Sequence, residues 1–298
     1  MNWLFFALIA TAIVSFVVFI DKYILEKEVK DYRGMPIYGA IMAVIFGTVF
    51  WLTNGFPSLT TRDMLLVLLT GVLNVFASAF YFKVVADEEA SKVLILIQFS
   101  PVIVLILSAL FLKETISLQQ LAGFLLILIG TIGVTVKKQD LTFSLSPTFL
   151  FMLLATLCWS SSSVLFKFVI DSNSFIKVVS YESWGMGIGG VILYLSFPSI
   201  RNAFHRINKT ISKKALTVIF INEGLYVASR LLTFLALSMG SVALVTVVES
   251  TSVFFGIILG WILMLFAPKI FHEDTTKEGL MKKFLLAITV FIGIMLIS

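Results

Sequence analysis

The chain reads as long apolar stretches interrupted by short polar ones. About 20 consecutive apolar residues suffice to carry a helix across the hydrocarbon of a bilayer. Such stretches recur at 3–24, 36–53, 63–83, 90–112, 117–136, 147–170, 176–197, 215–238, 241–265 and 281–298. In lipid the backbone must satisfy its own hydrogen bonds, so each stretch is expected to be a helix. The connections are short, the longest at 198–214 and 266–280, and leave no room for a soluble domain. The pattern therefore predicts an all-α polytopic membrane protein with ten transmembrane helices. The first stretch lacks a basic leader and a small-residue cleavage pattern, and so is expected to be an uncleaved span.

The two halves of the pattern resemble each other. "FPSL" at 56–59 ends the second span and "FPSI" at 197–200 ends the seventh. "ATAIVSFVVFIDKY" at 10–23 parallels "ATLCWSSSSVLFKF" at 155–168, which sets Lys22 against Lys167. "FLLILIGTIG" at 124–133 parallels "FLLAITVFIG" at 284–293. Five spans per copy is an odd number, so the second copy must be inverted across the membrane. The expected organisation is one membrane domain built of two five-helix repeats, 1–140 and 141–298. Inverted repeats of this kind belong to secondary transporters, with the substrate site near the midplane where the halves meet.

Composition sharpens this picture. The 298 residues are 59% apolar and 13% charged, where a soluble domain carries roughly 25% charged residues. The net charge of +5 gives no pointer to nucleic acid, because the basic residues cluster at the ends of spans and between them. The odd-numbered connections, with the span ends that flank them, carry most of the 22 Lys and Arg residues. By the positive-inside rule both termini are expected outside the cytoplasm, in a plasma (inner) membrane. The single cysteine, Cys158, excludes a disulfide framework. His205 and His272 fall in connections, and no phosphate-binding loop, paired histidines or nucleophile elbow is present. The chain is therefore not expected to be an enzyme, and no cofactor or metal is expected.

The fourth span and its flanks, "EASKVLILIQFSPVIVLILSALFLKETISLQQLAGFLLILIGTIGV", resemble the EamA family of the drug/metabolite transporter superfamily. The resemblance lies in a mid-helix proline, a helix ending in Leu-x-Glu, and a short turn into a glycine-containing helix. A looser match, "SVALVTVVESTSVFFGIILGWILMLFAPKIFHEDT", has Val253 in place of Pro101 and a longer connection before Glu273. The resemblance implies a five-plus-five inverted fold with a central cavity. Spans 1, 3, 4, 6, 8 and 9 would line it, with 5 and 10 peripheral. It also implies transport of amino acids, other metabolites or drugs, without choosing among them.

Charges inside spans are the candidate chemistry, since each costs about 2.5–3.5 kcal/mol at the bilayer centre on insertion scales. Arg230 and Glu249 flank the short turn between spans 8 and 9 at equal distances, so hairpin register expects them at one depth. Glu223 lies seven residues before Arg230 and faces Gly256 in that register, so it has no cation at its level. Glu223 is expected to carry a proton through the transport cycle, with Arg230 anchoring an acidic group of the substrate. A protonated, hydrogen-bonded structural Glu223 and a static Arg230–Glu249 pair are the plainer alternatives. Lys22 and Lys167, near the ends of spans 1 and 6, suit either snorkelling or symmetric gates. Glu182, early in span 7, reads as an acid suited to the helix dipole. Pro101 should kink span 4 and leave a polar spot at Gln98. Tyr81, Tyr226 and Trp159 are candidate aromatic walls, and "CWSSSSV" at 158–164 must turn some serines toward protein or water.

The expected function is secondary transport of a small polar or amphiphilic metabolite by alternating access, with proton coupling through Glu223. The expected partners are membrane lipids, the small-molecule substrate and protons. The alternatives are a lipid-linked-sugar flippase, a metabolite exchanger, or a non-transporting scaffold or sensor on the same fold.

Overall fold

The computed structural model describes residues 3–55, 58–112, 117–135, 147–170, 172–239, 245, 248–266 and 276–297. Glu114, Ser241, His272 and Glu273 lie outside the described residues. Twelve helices are named here: α1 (Trp3–Tyr23), α2 (Met35–Thr53), α3 (Thr61–Asp87), α4 (Ala90–Ile97), α5 (Ser100–Leu112), α6 (Leu118–Thr135), α7 (Pro147–Ile170), α8 (Phe175–Ser196), α9 (Pro198–Thr210), α10 (Lys213–Met239), α11 (Ser252–Phe266) and α12 (Lys277–Ile297). Among the described residues there is no strand. Among the described residues, six helical segments are long and apolar enough to cross a membrane, or seven if α8 and α9, bent by 101°, count as one; two shorter apolar stretches span Ala90–Val104 and Ser252–Leu265.

The distribution of polarity is that of a membrane protein. Leu195, Leu265 and Ile129 are 60% exposed or more, whereas Ser15, Glu182 and Asp21 are nearly inaccessible. Apolar side chains outside and polar ones within suit a chain that faces lipid. The protein is an integral, multi-pass membrane protein.

Two elements differ from the pattern. The segment at 198–214, expected as a connection, contains the helix α9. Ile200, Ala203 and Ile207 share one buried face of α9, while Asn202, His205 and Arg206 are exposed. That face seats on the turn Tyr32–Gly34 before α2, where Tyr38 Oη donates to Asn208 Oδ1 at 3.0 Å. The fourth span, expected as a single kinked helix, is broken into α4 and α5. Pro101 has no N–H to return to Ile97, so it sits in the first turn of α5, where none is needed. The Gln98 amide N–H turns to Ile95 O, and the Gln98 side chain takes over the Leu94 carbonyl that this leaves. A second break, at Ser250–Thr251, precedes α11.

Packing is pairwise. α1 lies on α10, α3 on α7 and α8, α2 on α8, α4 on α11, and α6 on α12. The α3–α8 contact is backbone on backbone: a Cβ added to Gly71 would meet Glu182 O at 2.1 Å, and one on Gly185 would meet Leu68 O at 2.2 Å. Only glycine allows that approach.

Candidate functional site

Between these pairs lies a cavity of about 240 Å³. Its walls come mainly from α1, α3, α4, α5, α7, α10 and the start of α11, with Pro36 and Gly39 of α2 and Met186 of α8. Among the described residues, α6 and α12 contribute none. Glu223, Arg230, Glu249 and Gln98 all reach the wall, as do Tyr81, Tyr226, Trp159 and Pro101. Lys22 and Lys167 do not.

One polar cluster is charge-balanced. Arg230 of α10 pairs through Nη2 with Glu182 Oε1 of α8. Asn74 of α3 donates from Nδ2 to Ser162 Oγ at 2.7 Å, Thr70 O at 2.9 Å and Glu182 Oε1 at 3.1 Å. Ser162 of α7 then donates to Thr70 O at 3.1 Å. The Arg230 guanidinium lies 5.0 Å from the Phe234 ring centre and 5.8 Å from that of Tyr226. Here the hairpin register and the structure part. The guanidinium goes to Glu182, while Glu249 accepts from Thr233 Oγ1 at 3.0 Å, one turn beyond Arg230. Register arithmetic compares only neighbours along the hairpin, so it could not bring α8 to Arg230.

Among the described residues, the second cluster has no cation. Asp21 of α1 accepts from Tyr81 Oη at 2.8 Å and from Asn222 Nδ2 at 2.7 Å. Glu223 follows Asn222 on α10, and its Oε2 would be 3.0 Å from a Cβ added to Gly39. Among the described residues, the Glu223 carboxylate has no hydrogen bond or ion pair, and Asp21 has no ion pair. Two further polar atoms here are buried without a partner, Asn222 Oδ1 and Trp159 Nε1. The Trp159 ring sits 5.5 Å from that of Tyr81. Asp21, Asn222 and Asn74 were not among the residues singled out from the sequence. The available signal was Asp21 beside Lys22: neighbours on a helix point about 100° apart, so one of two adjacent charges at an interface turns inward.

Lys22 points away from Asp21, to Val85 O at 3.0 Å at the end of α3 and to Glu26 at 3.4 Å. Lys167 donates to Leu237 O at 3.1 Å, near the end of α10. Each ammonium thus sits on carbonyls of a helix C-terminus, the negative end of its dipole.

No group of His, Cys, Asp and Glu that could hold a metal occurs among the described residues. The cavity offers carboxylate acceptors, one compensated guanidinium and aromatic walls. It can hold a cationic or hydrogen-bonding small molecule and exchange protons with it.

No curated protein matches the chain. A solved crystal structure, titled only "Crystal structure of protein", superposes with a TM-score of 0.60 over 98% of this chain and 94% of its own, at 14% identity. That likeness concerns the fold. The model of the EamA-like transporter family matches residues 1–136, from the start of the chain to just past α6. Over that segment, the chain is similar to the EamA-like transporter family.

Proposed function

We propose that the protein is a secondary active transporter that moves one small polar or amphiphilic metabolite by alternating access. The observation that carries this reading is the polar cavity flanked by two interrupted helices, α4–α5 and the segment leading into α11. Interrupted helices around a midplane cavity are how transporters place polar groups in a membrane. Gln98 Nε2 donates to Ser252 Oγ at 2.9 Å, so the two interruptions meet.

The contacts also support two equivalent inverted halves, 1–140 and 141–298. The pairing of α1 with α10 has its counterpart in α7 with α3. Lys22 on the end of α3 has its counterpart in Lys167 on the end of α10. The alignment that sets Val253 against Pro101 sets the break at Ser250–Thr251 against the one at Gln98–Phe99. Rocking one half against the other about such a site opens it to each side in turn. In this reading both termini lie outside the cytoplasm, which the bias of basic residues supports.

Glu223 is the proton carrier in this scheme. It is buried, faces the cavity and lacks a cation, the conditions under which a carboxylate trades its charge for a proton. The cavity volume suits a single small metabolite and lends nothing to a lipid-linked sugar. A packed scaffold would have no reason to leave Glu223 beside open space.

The test is a thermal-shift survey of the purified protein across metabolite classes, since a ligand that binds the folded state raises its melting temperature. The best binder, labelled, is then offered to proteoliposomes. Uptake above protein-free vesicles supports transport; binding without any uptake or exchange removes it.

A further inference from the structure

Resting on the transport reading above, we propose that the Asp21–Asn222–Glu223 end of the cavity is a subsite for a protonated primary amine. The amine carries an apolar or aromatic body and no carboxylate of its own.

The first argument is the character of the polar atoms. Asp21 and Glu223 supply oxygens of two buried carboxylates, and Asn222 supplies an orphaned amide oxygen. The Asn222 amide is held this way round because its Nδ2 already donates to Asp21. These groups call for a ligand that donates several hydrogen bonds and carries positive charge. A primary ammonium offers three N–H donors, whereas a quaternary one offers none.

The second argument excludes a carboxylate on the same ligand. Arg230 is the only basic residue on the wall among the described residues, and Glu182 already holds it. The starts of α5 and α11 reach the cavity and are the places where a helix N-terminus would receive an anion. Five of their amides are already spent: Val102 and Ile103 donate to Phe99 O, Val253 to Ser250 O, and Phe254 and Phe255 to Thr251 O. The remaining carboxylate of the cavity, Glu249, adds negative charge and is hydrogen-bonded to Thr233. A zwitterionic amino acid would therefore bring a carboxylate into a region that holds three acids and no spare cation.

The third argument is the wall. Tyr81 and Trp159 stand side by side next to Asp21, with the unpartnered Trp159 Nε1 buried there. Aromatic faces beside carboxylates favour an organic cation through both its charge and its body.

The test uses detergent-purified full-length protein and isothermal titration with four probes of similar shape: phenethylamine, its N-trimethyl derivative, phenylalanine and phenylpropionate. Phenethylamine should bind most tightly. The other three should each be weaker by about 10-fold or more, the scale of one lost or opposed charge-assisted hydrogen bond. Asp21→Asn should weaken phenethylamine by a similar factor. Gly39→Ala keeps every charge but crowds Glu223, and should weaken binding while leaving the fold intact by thermal melt. Binding of phenylalanine or phenylpropionate at least as tight as phenethylamine overturns the proposal, as does unchanged amine affinity in both variants. The transport reading fails separately: phenethylamine that binds as described but never crosses a proteoliposome leaves the subsite standing without a transporter. Transport of some other class without amine binding does the reverse.

Discussion

The two polar clusters of the cavity share α10, about two turns apart along it, yet they are built on opposite principles. Around Arg230, Glu182, Asn74 and Ser162, each charge has a partner and the backbones of α3 and α8 touch at Gly71 and Gly185. Around Asp21 and Glu223, the described residues include two acids, no cation and two orphaned polar atoms, and Gly39 leaves room for the Glu223 carboxylate. A buried network that is fully satisfied specifies a structure. One that is left incomplete inside a membrane is costly, and persists where a ligand or a proton completes it. In the transport reading this difference divides the labour: the first cluster holds the helices together and the second handles cargo.

Breaking the balanced cluster should produce the largest effect. Glu182→Gln leaves Arg230 uncompensated among apolar walls and should cost about 3–5 kcal/mol. Combining it with Arg230→Met should recover much of that loss, because no lone charge remains. Glu223→Gln strands nothing and should melt like the unaltered protein or slightly higher. Unfolding midpoints in one detergent compare all three; equal losses from Glu182→Gln and Glu223→Gln would erase the distinction.

Glycine substitutions give the next largest contrast. Gly71→Ala drives a methyl into the Glu182 backbone, which cannot step aside, and should cost about 1–3 kcal/mol. Gly39→Ala meets only the far end of the Glu223 side chain at 3.0 Å and should leave the melting temperature nearly unchanged.

The two lysines sharpen the comparison between halves. Lys22→Met and Lys167→Met each remove a cation from a helix C-terminus and should cost about 0.3–1 kcal/mol apiece. If the repeats are equivalent the two losses match, and a large difference in chemical-denaturation midpoints argues against equivalence.

The smallest effect lies at the α9 seat. Burial works to raise the Asp31 carboxyl, but hydrogen bonds from Arg33 and the charges of Arg33 and Arg206 outweigh it and hold it below its usual 3.8. Its contribution is therefore full above the unfolded value and is lost as pH falls through the lower folded one. Arg206→Ala should cost about 0.2–1 kcal/mol at neutral pH. The gap from the unaltered protein should close as pH drops below 3.8 in parallel melts.

Span edges were legible because lipid demands a run of apolar residues: 36–53 was expected where Met35–Thr53 forms, and 147–170 where Pro147–Ile170 forms. The helix α9 was not, because a window tuned to spans discards a short segment that is apolar on one face only. Pro101 marked the interruption of the fourth span, but nothing marked the one at Ser250–Thr251, where no proline stands. There Thr251 Oγ1 donates to Val248 O at 2.7 Å, a side-chain bond that competes with the helix ladder. In the cavity, Glu223 and Arg230 were legible as charges out of place. Asp21 was hidden beside a lysine at a helix end, and the role of Glu182 depended on a packing of α8 against α10 that no local pattern encodes.

Proteoliposomes carrying Glu223→Gln test the central claim most directly. The probe is the labelled ligand that most raises the melting temperature of the unaltered protein, supplied at saturating concentration. Glu223→Gln keeps the shape of the side chain while removing its exchangeable proton. The variant is predicted to go on exchanging labelled for unlabelled ligand across the membrane, yet to fail to concentrate it when a proton gradient is imposed. Gradient-driven accumulation equal to that of the unaltered protein would contradict the account and leave Glu223 a structural residue.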